Sequence, residues 1–371
     1  MRTFLHGLTV AAAIGTAAVV ALRPAAPPPG DRPAPGSAVK AAAPAERLTA
    51  GAPPAIRAAD LKLPPGPISW KPVLDHLRAH LERGGEIDAQ DVRARLARIL
   101  AEHPEGLDEL LQLLAREENE DILLILSEVI GNDPAAMASP ALLETLLRLA
   151  ESGTVPAQRG AALLILAHLP RPDARAAACV VRLAGAEAEP RDLRVTAIST
   201  VVAWMQQHPA AEPELSRALL GVARAAADAE VRGHALQGLA LKERPADAEM
   251  VDAVAPFLAD ANPRNRALAA MALGGAGPEA RAAATGHLER ALDLEHDPES
   301  RRCLLIHLVR AAGPEAESAL ERAARRHPHL ADDVRDYREI LAVTSDPVRV
   351  WELKMERDLA RGAVPGGHEV D

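Results

Sequence analysis

An arginine set among small and aliphatic residues returns at Arg159, Arg194, Arg232, Arg266 and Arg302, at intervals of 35, 38, 34 and 36 residues. A repeat of that length holds two helices and their turns, and one such pair cannot bury its apolar face alone. Stacking on neighbours solves the problem, so the chain reads as an all-α fold, an α-solenoid of about six to seven helix pairs. Aromatic residues are only 2% of a chain that is 48% hydrophobic. Ala and Leu must therefore fill the interior, which suits closely packed helices and argues against sandwiches and barrels of strands.

The array is preceded by two segments of different character. Residues 1–22 place Arg2 before an almost uncharged run from Leu8 to Leu22, closed by Arg23 and Pro24. This has the form of an export signal. The core run would span roughly 23 Å as a helix, short of a comfortable crossing. Including Thr3 to Gly7 brings it to about 30 Å, so a single uncleaved anchor and a signal cut near Val19-Val20-Ala21 both remain open, beside a disordered cytosolic terminus. Residues 23–67, rich in Pro and Ala, read as a disordered linker favouring polyproline II. The solenoid is assigned to 68–345 and a C-terminal cap and tail to 346–371. The protein is accordingly expected in the cell envelope, tethered to the membrane with the solenoid outside the cytoplasm, or periplasmic or secreted after cleavage.

Apolar spacing near 3.6 begins with Trp70, Val73, Leu74, Leu77 and Leu81 and continues with Val92, Leu96, Ile99 and Leu100. Paired helices follow. First members are predicted over 105–117, 140–151, 172–184, 212–226, 247–259, 278–293 and 315–326, and second members over 119–131, 156–168, 190–207, 229–241, 263–274, 298–311 and 331–343. Punctuation agrees with this division. Pro156, Pro190, Pro263 and Pro298 precede periodic arginines at the first helical position, and Asp228, Asn262 and Asp297 stand ready as N-caps.

The segments DAEVRGHALQGL (228–239), EPRDLRVTAIST (189–200), DANPRNRALAAMAL (260–273) and DPESRRCLLIHL (297–308) resemble HEAT repeats, in particular the bacterial type related to phycobilin-lyase repeats. Ala162, Ala197, Ala235 and Ala269 hold the small position of that pattern, from which Leu305 departs. The resemblance is clear over about 155–310 and weaker on either side. It implies a right-handed superhelix with second helices lining the concave side, and implies no activity.

No catalytic constellation emerges, and no metal or cofactor is expected. His76 and His80 share a helix face but lack a third ligand. His327 and His329 sit in a helix-terminal loop, and Glu295, His296 and Asp297 suit turn and capping duties. Ser300 beside His296 lacks a third group. Gly274-Gly275-Ala276-Gly277 follows a helix, the reverse of a phosphate loop, and reads as a stop. Cys179 and Cys303 read as buried, unpaired thiols. With a formal charge of -10, no general field draws the molecule to nucleic acid. What remains is a non-catalytic scaffold whose concave face takes a protein or peptide. The alternatives are a lyase-like accessory protein with a small ligand in the groove and a purely structural envelope component. Candidate partner-binding residues are Arg159, Arg194, Arg232, Arg266, Arg302 and Trp351. The arginines equally fit ion pairs with turn acids such as Asp228, Asp260 and Asp297, Trp204 and Phe257 suit gaps between repeats, and Trp351 suits a cap.

Overall fold

The computed structural model describes residues 55–61, 69–241 and 244–361. The predicted apolar segment 1–22 and most of the linker lie outside them. Among the described residues no helix is long and apolar enough to cross a membrane, and extended pairing is confined to two isolated bridges. The architecture is a stack of helix pairs.

Two helices open the stack, α1 (Lys71–Glu82) and α2 (Ala89–Glu102), followed by α3 (Leu107–Leu114) and α4 (Glu120–Gly131). A one-turn helix the sequence had not suggested, α5 (Pro134–Met137), then leads to α6 (Pro140–Ser152) and α7 (Pro156–Leu166). Three more pairs follow: α8 (Ala174–Gly185) with α9 (Arg191–Gln207), α10 (Glu212–Ala225) with α11 (Ala229–Ala240), and α12 (Ala248–Val254) with α13 (Pro263–Leu273). The last pairs are α14 (Arg281–Leu294) with α15 (Pro298–Ala312) and α16 (Ala316–Arg326) with α17 (Ala331–Leu341), before the terminal helix α18 (Pro347–Ala360).

Local chemistry sets these boundaries. Asn119, Asp228, Asn262 and Asp297 accept backbone amides at the starts of α4, α11, α13 and α15, satisfying donors that have no helical partner. Pro156, Pro263 and Pro298 occupy first-turn positions. Pro190 instead sits one residue outside α9, in an extended conformation at its N-cap. The helix predicted over 247–259 turns into a 3₁₀ segment, Ala255–Ala259, because Pro256 has no amide proton to continue the α ladder.

The second helices carry the packing. From α2 through α4, α7, α9, α11, α13 and α15, each lies along the next, more closely than consecutive first helices do. That difference puts the second-helix layer on the inner side of the curve. The small residues explain the approach: Ala162, Ala197, Ala235 and Ala269 are completely buried, where a longer side chain would hold the helices apart. On α11, a Cβ at Gly238 would come within 2.6 Å of Val202 on α9.

Both ends are covered. At the N-terminal end residues 55–61, assigned to the linker, pack on the stack instead of standing apart from it. Ile56 donates its amide to Glu86 at 2.9 Å and accepts from Asp88 at 3.0 Å, and Ile56 and Leu61 are buried. A short apolar strap, hidden in a Pro/Ala-rich composition, thus closes the first repeat. At the other end α18 packs against α17.

Replacing Ala235 with Leu should force α11 from its neighbours and destabilise the fold by roughly 1–3 kcal/mol. Chemical denaturation checks this, and unchanged stability would contradict the close contact.

Candidate interaction surface

A second helix has its own first helix on one side and second helices on two others, so only a narrow stripe meets solvent. Five residues beyond each periodic arginine the stripe holds Leu164, Ser199, Gln237 and Met271, and Ile306 continues it on α15, all half-buried. The row is uncharged.

The arginines expected to line this face are turned toward the turns instead. Arg159 donates to the carbonyl of Ala150 at 2.9 Å and, through both terminal nitrogens, to Glu189 at 2.6 and 2.7 Å. Arg194, only 3% exposed, bonds Ala184 O at 3.2 Å and Glu187 at 3.0 Å. Arg232 reaches Ala226 O and Asp260, both at 2.6 Å. Arg266 reaches Asp260 O at 3.0 Å and Glu295 at 2.7 Å. In each case the guanidinium neutralises the carbonyl end of its own first helix. Arg159, Arg232 and Arg266 in addition clamp a carboxylate in the turn of the next repeat, a bidentate staple.

Two sequence expectations are corrected here. Asp260 is a partner as anticipated, but Asp228 pairs with Arg191, and Asp297 caps α15 while Glu295 takes Arg266. The register also shifts at the end. Arg301, not Arg302, occupies the equivalent place, donating to Glu295 O at 2.6 Å and meeting His329 where earlier repeats present a carboxylate. Arg302 is half-exposed, 3.9 Å from Asp333. Its neighbour had concealed the offset, since either arginine fits the period.

The turn acids show the effect of these staples. The Arg159 guanidinium holds the Glu189 carboxyl below its ordinary range. Burial pushes Asp260 and Glu295 upward, yet their arginines and turn amides keep both below the usual values. Among the other candidates, Trp204 is fully buried, its indole donating to Leu166 O at 2.9 Å. Phe257 packs on the core. His80 bonds Glu86 O at 3.0 Å, which ties it to the turn after α1. Both thiols are unpaired, and burial raises Cys179 to about 11 and Cys303 to about 12.

Trp351 lies half-buried on α18, which docks through the buried Val350 and a cluster of charges. Asp333, Asp336 and Asp358 offer ligand atoms within 4.8 Å of one another, a spacing compatible with a metal. Lys354, 3% exposed, fills that role: its ammonium lies 3.0 Å from Asp333, 3.6 Å from Asp336 and 2.5 Å from Asp358. Arg357 and Arg361 add further pairs to Asp336. A fixed cation with that much positive charge around it leaves no electrostatic demand for a metal. The sequence hid this arrangement because its parts lie on two helices with no periodic relation.

The inner layer also holds titratable groups that the sequence did not single out. His307 of α15 is 8% exposed and its Nδ1 has no hydrogen-bond partner. It fits only because Gly274 faces it, where a Cβ would sit 2.9 Å from Nδ1. Burial and then the charge of Arg310 push its pKa down to about 3.

No protein-family model matches this chain, and no curated protein does. Among solved structures, it is similar to a crystal structure of an engineered protein from a structural genomics consortium, at 16% identity, covering 77% of this chain and 80% of that one with a TM-score of 0.42. A likeness so slight bears on neither fold nor function.

Arg232→Ala strands the buried Asp260 carboxylate and should destabilise the protein by about 3 kcal/mol, whereas Arg302→Ala should change stability by less than about 1 kcal/mol. Equal effects in thermal unfolding would refute the register. His307 resists protonation when folded but not when unfolded, so its share of stability is complete above about pH 6.5 and declines toward pH 3, by at most ~1.4 kcal/mol per pH unit. His307→Gln should flatten that stretch of the stability–pH curve, and an unchanged slope would show that other groups set it.

Proposed function

We propose that this protein is a non-catalytic scaffold that binds another protein or peptide along the inner, second-helix face of its solenoid. The observation that carries the reading is the uncharged row through Leu164, Ser199, Gln237, Met271 and Ile306, presented on a layer where Arg159, Arg194, Arg232 and Arg266 are drawn off to the turns. Such a surface is apolar enough to reward burial and long enough to follow an extended or helical segment. Arg159, Arg194, Arg232 and Arg266 then serve as its frame, holding the repeats in register, while Arg302 and Trp351 offer rim contacts. The apolar run of residues 1–22 and the Pro/Ala segment behind it support export and attachment to the cell envelope, with the solenoid held outside the cytoplasm. Similarity to HEAT repeats fits the same role, because that pattern specifies stacking and leaves the exposed stripe to the partner.

A photo-reactive amino acid at Ser199 or Gln237, in the native host, should give adducts of one discrete mass, whereas the same group at Arg217 on first helix α10 should give none. Indistinguishable adducts from both layers, or none from either, would count against the inner face.

A further inference from the structure

The stripe changes character over its last two helices. On α13 it presents Arg264 and Met271, and on α15 Arg302, Ile306 and Arg310, all except the half-exposed Arg302 in positions of intermediate burial. Arg159, Arg194, Arg232, Arg266 and Arg301, at the starts of the second helices α7 to α15, bond carboxylates or carbonyls of the turns. Arg264 and Arg310 do not. The Arg264 Nε is buried without a hydrogen-bond partner, and among the described residues neither guanidinium forms an ion pair.

Their charge is felt by what surrounds them. His234 on α11 is held below its ordinary pKa by burial and then by Arg264. Burial alone depresses Arg310. A guanidinium partly withdrawn from water without a counter-charge is unfavourable, and it gains most from an incoming carboxylate that meets its planar fork. Met271 and Ile306, in the same stripes, give that ligand apolar surface to cover.

We infer that α13 and α15 form the recognition end of the groove, taking an acidic peptide segment whose carboxylates engage Arg264 and Arg310 and whose aliphatic side chains cover Met271 and Ile306. This rests on the interaction-surface reading above and adds the chemistry of the partner. A peptide is favoured over nucleic acid because the cations are interrupted by Met271 and Ile306, apolar side chains that aliphatic residues of a peptide can cover, instead of forming a continuous basic track along which a phosphate backbone could run.

The test uses the full chain and a fluorescein-labelled peptide of repeated Glu-Glu-Leu triplets, read by anisotropy at about 50 and 300 mM salt. The peptide should bind, more weakly at high salt, and the Arg264→Gln/Arg310→Gln double variant should bind it at least about tenfold more weakly. Arg217→Gln should have no effect, and a Lys-for-Glu peptide should not bind. Because neither arginine is paired, circular dichroism should show the double variant folded. If it is not, the single variants should each weaken binding several-fold. Equal affinity for wild type and variants, no binding at all, or tighter binding of an oligothymidine strand overturns the inference. Discrete cross-links from Gln237 together with unaltered peptide affinity would leave the interaction surface standing and remove only its acidic ligand.

Discussion

The distance between consecutive second helices governs the rest of the molecule. Ala162, Ala197, Ala235 and Ala269 are buried completely, and on α11 even a methyl group at Gly238 would collide with Val202. Small side chains contribute little apolar area each, so stability comes from many close contacts at short range rather than from large anchors. The same closeness makes the inner layer shorter than the outer one and bends the stack. It also narrows the exposed part of each second helix to a single stripe, which is why the candidate surface is a row and not a pocket.

Charge is distributed in a way that follows from this geometry. The inner stripe has little room for solvated side chains, and the arginines that begin the second helices are directed into the turns, where carbonyl ends and acids converge. On the outer layer, pairs such as Arg182 with Glu151 at 2.6 Å and Arg322 with Glu289 at 2.8 Å step from one first helix to the next, each contributing little by itself. Against that background, the guanidinium groups of Arg264 on α13 and Arg310 on α15, which form no ion pair among the described residues, contrast with the compensated Lys354 cluster on α17 and α18.

Much of this was legible in the sequence. The period, the capping residues Asp228, Asn262 and Asp297, and the alanine positions located the helix pairs within a few residues, because local chemistry and stacking demand the same boundaries. The strap at Ile56 and Leu61 escaped notice, since two apolar residues in a Pro/Ala-rich stretch have no period to betray them. The Arg301 register was hidden by Arg302, and the Lys354 cluster by the distance between its parts along the chain. For the surface, sequence pattern found four of the five repeated arginines, Arg159, Arg194, Arg232 and Arg266, and took Arg302 for the fifth. It could not show which had partners, because an ion pair across a repeat depends on side-chain direction, and Arg264 and Arg310 fall outside the period altogether.

The strap at Ile56 has a mechanical meaning. Its two main-chain hydrogen bonds, with Glu86 and Asp88, precede every described α-helix, so a pull on the chain from its N-terminal side reaches this clasp before it reaches α1. Two backbone bonds and two buried apolar side chains, Ile56 and Leu61, thus act as a clasp that must open before such a pull can unwind the first repeat.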